Sequence, residues 1–176
     1  MFPVFFDLAN AAILHSLLRF MFCKALQFTT MNQIKTPCIG ICSTTSFGDK
    51  ICRGCKRFNF EVINWNTYTE QEKLAVFSRI DLLTEQILRN KFRIFDVGKL
   101  QDVMQDFRFF YHPELSPFCW LHGLLQKYSY RINSLNEIGV ELAPEFKNKS
   151  VDEVMLIINE DLHLLSEAHF QRYFQR

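Results

Sequence analysis

A chain of 176 residues, 48% hydrophobic and 22% charged, has the balance of a globular protein, with room for one compact domain or a small module plus a domain. A net charge of +1 argues against binding nucleic acid by bulk electrostatics, and the apolar content argues against long disorder. Nineteen phenylalanines imply an aromatic-rich core or an aromatic partner surface.

Residues 1–30 form an apolar leader broken by Asp7, Asn10, His15, Arg19 and Lys24. No uninterrupted run reaches the roughly 18–20 residues that span a bilayer, and neither the basic start nor the small-residue cleavage site of a signal peptide is clear. Three readings stay open: an amphipathic helix on a membrane surface or on the protein itself, a weak anchor, or translation that truly starts at Met31. Contact with a membrane is expected only if residues 1–30 belong to the protein. Without a secretion signal, the expected location is cytoplasmic.

Four cysteines follow within eighteen residues: Cys38, Cys42, Cys52 and Cys55, spaced C-x3-C-x9-C-x2-C. Pairs at such spacing can turn both sulfurs toward one point, and two pairs make a four-thiolate cage, the ligand set of structural zinc or of an iron–sulfur cluster. Gly40 and Gly54 sit between paired cysteines, where the turn asks for a permissive backbone. Lys50, Arg53, Lys56 and Arg57 crowd the second pair, and their charge favours thiolates. Disulfides are disfavoured in reducing cytosol. Spacing alone does not separate zinc from a cluster.

The segment from Thr36 to about Leu83 resembles a bacterial family of short proteins known as domain-of-unknown-function family 1289, whose members are often described as predicted Fe–S proteins. The resemblance rests on Pro37-Cys38-Ile39-Gly40-Ile41-Cys42, on Ile51-Cys52-Arg53-Gly54-Cys55, and on Arg57, Glu61, Ile63, Trp65, Thr69 and Glu72. The family pattern usually has a glycine directly after the fourth cysteine; here that residue is Lys56. The resemblance covers under a third of the chain and implies metal binding at the cysteines.

Further along, Phe58–Trp65 reads as one or two helical turns whose aromatics form the small core of the module. Thr69 with Glu72 is a capping box, and Leu74, Phe77, Ile80, Leu83, Ile87 and Leu88 recur near helical period, which predicts a helix over about 70–92. Lys73, Arg79, Asp81 and Glu85 are expected on its solvated face. Asp96–Phe110 is a second helix with Val97, Leu100, Val103, Met104 and Phe107 inward, and Phe118–Tyr128 a third. Residues 130–142 carry mixed signals that fit a short hairpin or a loop. Ser150 with Glu153 opens a last helix over about 151–174.

Catalytic signals are sparse. His112 with Cys119 and the nearby His122 invite a nucleophile–base reading, but adjacency in sequence does not make a pair. His163 and His169 are six apart, off the spacing that aligns two ligands on one helix face. No phosphate-binding glycine loop or zinc-protease motif is present in the sequence. No catalytic residues are assigned.

The expected protein is therefore mainly α: an apolar leader (1–30), a four-cysteine module with its following helix (31–92), and a separate helical region (93–176). It is expected to be non-enzymatic, with zinc or an iron–sulfur cluster at one four-cysteine site. Arg53, Lys56, Arg57 and Trp65 are expected to face a protein partner. The alternatives are electron transfer or redox sensing through an iron–sulfur cluster, and a zinc module that binds nucleic acid.

Overall fold

The structure is a computed structural model that describes residues 34–40 and 42–174. Expectations for residues 1–30 lie outside the described residues. The elements are α1 (Ser43–Phe47), α2 (Asn59–Ile63), α3 (Glu70–Arg89), β1 (Phe92–Ile94), α4 (Val97–Asp106), α5 (Pro117–Tyr128), β2 (Val140–Leu142) and α6 (Val151–Phe174). Short 3-10 turns link α5 to β2 and β2 to α6. Among the described residues no helix is long and apolar enough to cross a membrane.

Both capping boxes form. Thr69 N–H donates to the Glu72 carboxylate at 2.7 Å while Glu72 N–H donates to Thr69 Oγ1 at 3.3 Å. Ser150 and Glu153 repeat the exchange at 2.7 and 3.2 Å. Each box satisfies amide groups that the first helical turn would leave unpaired. The α5 helix starts where Ser116 caps it and Pro117 occupies the first turn, the position that needs no amide donor. Asp96 caps α4 through Lys99 N–H at 3.1 Å, and the left-handed Arg108 follows its end.

The main core gathers Leu83, Ile87 and Leu88 of α3, Leu100 and Met104 of α4, Trp120, Leu121, Leu124 and Leu125 of α5, Ile138 and Val140, and Val154, Ile158 and Leu162 of α6. A second, smaller cluster joins Ile51, Phe58 and Phe60 to Phe170 near the end of α6. The buried stripe of α6 is Val154, Ile158, Leu162, Ser166 and Phe170, spaced by four. One helix thus serves two cores in succession.

Thr36–Arg176 cluster as one compact unit, in which α3 packs on both α5 and α6 and the cysteine segment shares an aromatic cluster with α6. Several expectations are corrected. The strand expected in 130–142 exists at Val140–Leu142, but its antiparallel partner is Phe92–Ile94, far back in the chain, with Phe92 opposite Leu142 and Ile94 opposite Val140. Leu74 and Val97, read as inward, are exposed, while Val76 is buried. Arg79 is not solvated: its side chain pairs with the buried Glu61 on α2.

Gly139 fixes the strand pairing. Its carbonyl accepts the N–H groups of Phe95 and Asp96 at 3.0 and 3.1 Å, and its φ of +75° is a conformation that glycine adopts without strain. A Cβ there would lie 2.1 Å from the Asp96 carbonyl oxygen. Gly48 has the same φ with open space around it. Gly48→Ala is expected to cost about 1 kcal/mol from left-handed strain alone, and Gly139→Ala at least about 2 kcal/mol more, since backbone must move. Urea unfolding of both variants checks this; equal losses would show that the close approach at Gly139 does not matter.

Candidate thiolate site

From Ile51 to Phe58 the chain folds back on itself as a miniature hairpin. Ile51 and Phe58 bridge antiparallel, Cys52 N–H donates to Arg57 O at 2.9 Å, and Lys56 N–H donates to Cys52 O at 2.9 Å. The turn between them carries both cysteines of the second pair. To close it, Lys56 takes a left-handed φ of 59°, the conformation usually left to glycine.

The turn and the start of α1 together surround the Cys52 sulfur. Cys52 and Cys55 are buried. Burial by itself would raise the Cys52 thiol, but the backbone N–H groups of Cys55, Ser43 and Gly54 and the Cys55 side chain oppose it and bring the thiol down to about 6. Peptide N–H groups aimed at one sulfur stabilise its thiolate as hydrogen bonds to a charged acceptor do. At Cys55 burial prevails and pushes the thiol up, against the pull of Arg57. Arg57 Nε donates to Cys55 Sγ at 3.3 Å, and its guanidinium lies 4.9 Å from the centre of the Trp65 ring.

The first pair is less advanced. Gly40 N–H donates to Cys38 Sγ at 3.4 Å, and Cys42 occupies the cap position of α1. Cys42, Cys52 and Cys55 gather near one another, with Cys38 left out of that group. Ile41, between the paired cysteines, lies outside the described residues. Among the described residues no three or more His, Cys, Asp or Glu side chains converge as a ready metal site. Of the four cysteines expected to form a cage, Cys42 thus lies with the Cys52–Cys55 turn and Cys38 does not.

The residues expected to face a partner are mostly inside. Lys56, Arg57 and Trp65 are 4%, 3% and 7% exposed, and of the four only the Arg53 side chain stands out, paired with Asp49 at 2.9 Å. The buried three hold the knuckle: Arg57 spans sulfur and indole, and Lys56 donates through Nζ to Arg53 O and to Asn159 Oδ1 on α6. On the outside of the module stand Ile39, Phe47 and Ile63 instead.

Two further residues matter, Glu61 and the Arg79 expected on the solvated face of the helix. Glu61 Oε2 accepts Phe58 N–H at 2.8 Å and Arg79 Nη2 at 2.7 Å. The same Arg79 nitrogen donates to Lys56 O at 3.3 Å, and the guanidinium lies 3.8 Å from the centre of the Phe58 ring. The signal was there: Arg79 falls between Val76 and Leu83 at helical spacing, on the buried stripe of α3.

Cys119 and His112 each bond elsewhere. Burial first, then Asp81 and Glu85, push the Cys119 thiol up to about 12, while a reactive cysteine needs the opposite shift. Its sulfur donates to Asp81 O at 3.5 Å, and His112 uses its carbonyl to accept Trp120 Nε1 at 2.8 Å. Burial pushes His122 down to about 4, with Lys56 adding to the effect.

Fold and site together define a small cysteine-knuckle segment built into a helical body. Residues 36–83 match the model of a family described as protein of unknown function, DUF1289. The chain is 38% identical over 61 residues to the "Uncharacterized protein YdhL" of Escherichia coli O6:H1 (strain CFT073), an alignment that covers 35% of this chain and 70% of that protein. The chain belongs to the DUF1289 family. No solved structure matches it.

Asp81 on α3 gives a pH prediction. Burial holds its carboxyl up at about 6 against the attraction of His112. A carboxyl raised on folding contributes stability that is fully present below the unfolded value of 3.8 and is lost as pH rises through about 6. Asp81→Asn should therefore gain stability relative to the parent as pH climbs through that window and hold the gain at pH 7. Paired thermal melts between pH 4 and 7 measure it; a difference independent of pH would place the carboxyl at its ordinary value.

Proposed function

We propose that this is a cytoplasmic, non-enzymatic metal-binding protein in which Cys38, Cys42, Cys52 and Cys55 hold zinc or an iron–sulfur cluster. The observation that carries the reading is the convergence of three backbone N–H groups on the Cys52 sulfur, with Arg57 on the neighbouring Cys55 sulfur. That donor set suits metal-bound thiolates, whose ligating sulfurs need stabilised negative charge and fixed orientation. Gly40, between the first two cysteines, is exposed, with a φ of +95° and nothing within 4 Å of where a Cβ would sit.

Bound zinc would act as a scaffold for a segment too short to hold a core by itself, and a cluster would add a one-electron redox couple. The partner-facing surface is better sought at Phe47, Ile63, Ile39 and Arg53 than at the residues that lock the knuckle. Phe47, Ile63 and Ile39 are 81%, 73% and 62% exposed. Burial of Lys56 and Arg57 weakens the nucleic-acid alternative, since it removes two cations from the surface such a ligand would touch.

Protein purified without oxygen should carry stoichiometric metal, and Cys52→Ser and Cys55→Ser should each lose it. Elemental analysis with a visible spectrum reads both. Zinc without colour assigns the site to scaffolding; iron with labile sulfide and a broad brown absorption assigns it to redox work. A clean, metal-free parent protein after reconstitution with either would overturn the proposal.

A further inference from the structure

Arg79 bonds through one of its three nitrogens. Nη2 donates to Glu61 Oε2 at 2.7 Å and to Lys56 O at 3.3 Å, while Nε and Nη1 are closed off from water and have no hydrogen-bond partner among the described residues. A guanidinium carries five N–H donors, and a buried donor left unbonded costs more than a hydrogen bond usually contributes. The guanidinium carbon lies 3.8 Å from the centre of the Phe58 ring, which covers one face of the group. The missing acceptor therefore belongs in the guanidinium plane, at its edge.

A cavity of about 280 Å³ borders this side chain, between α2, the first half of α3 and the last turns of α6. Phe58, Ala75, Val76 and Phe174 give it apolar walls, and His169 and Tyr173 add polar edges. Pockets for drug-sized ligands run from about 300 to 1,000 Å³ and are built this way, mostly apolar with a few polar groups. A cavity just below that range suits one ring with a single substituent. Tyr173 and Phe174 are exposed at the end of α6. Exposed side chains change rotamer within nanoseconds, so that side of the cavity can open.

Charge selects the kind of ligand. Glu61 already pairs with Arg79, and the two make a largely buried couple with no net charge. A carboxylate in the cavity would bring a second negative charge beside Glu61. A cation would face Arg79 and offer it no acceptor. An uncharged carbonyl supplies the acceptor, leaves the balance unchanged and avoids the cost of burying a net charge.

We propose that this cavity binds small, flat, uncharged carbonyl compounds such as aromatic amides, with the carbonyl oxygen on Arg79 and the ring against Phe58, Val76 and Phe174. The inference goes beyond the metal-binding reading and does not depend on it, since no cysteine takes part in the site.

Nuclear magnetic resonance on the isotope-labelled full chain tests this near neutral pH with three probes of one shape: benzamide, benzoate and benzamidine. Benzamide should shift the backbone amides of Ala75, Val76, Arg79 and Tyr173 and the Arg79 Nε–H signal, and saturate with a Kd of about 1 mM, an ordinary affinity for so small a ligand. Benzoate and benzamidine should bind more weakly by about tenfold or more. Arg79→Lys keeps a positive charge for Glu61 but removes the unused donors, and Ala75→Phe fills the cavity from an exposed position on α3. Each should weaken benzamide binding by about tenfold or more, with unchanged amide signals at Leu121 and Val154 of the main core showing that the variant is folded. Signals that stay still with benzamide at about 20 mM overturn the proposal. So does benzoate or benzamidine that binds as tightly as benzamide, or a folded Arg79→Lys or Ala75→Phe protein that binds benzamide like the parent.

Discussion

One buried carboxylate ties the cysteine turn to the rest of the protein. Glu61 reaches back to the Phe58 amide, which ends the miniature hairpin, and forward to Arg79 on the long helix α3. Arg79 in turn covers the Phe58 ring and bonds the carbonyl of Lys56. A hairpin of eight residues cannot bury enough apolar surface to be stable in isolation. It is held here because a charge-assisted network, shielded from water, gives its direction and place against α3.

A second constraint comes from α6. Its four-residue stripe runs from the main core into the aromatic cluster beside the cysteines. Edge-on and tilted contacts among Phe58, Phe60, Phe170 and Phe174 provide much of the packing at that end. A helix anchored in two cores of different size is not equally stable along its length, and its weaker end is the one next to the site. That arrangement joins the cysteine segment to the helical body through packing and not through a linker.

At the Cys52 sulfur, backbone donors oppose the effect of burial. Positive side chains near the second pair suggested that lysine and arginine lower the thiol values, yet the Cys52 sulfur is served by peptide N–H groups from the turn and from the start of α1. Arg57 does contact a sulfur, but it is equally a packing residue against Trp65. Backbone donors are fixed in direction by the turn itself, and the buried Lys56 and Arg57 side chains hold that turn in place.

Local features were legible because their causes are local. Capping boxes, the helix starts at Glu70 and Val151, the proline-led start of α5, and the cysteine spacing all follow from residues a few positions apart, and the amino-acid sequence by itself determined them. Tertiary structure decided the rest. Arg79 became a half-buried anchor only because Glu61 meets it across eighteen positions, and β2 found β1 only because Gly139 can approach Asp96. Lys56, whose charge pointed to a surface role, was taken inside by a turn that needed its backbone and a helix that offered Asn159, 103 positions away. Pairings that distant depend on which faces are brought together when the cores close, and no window of neighbouring residues contains that information.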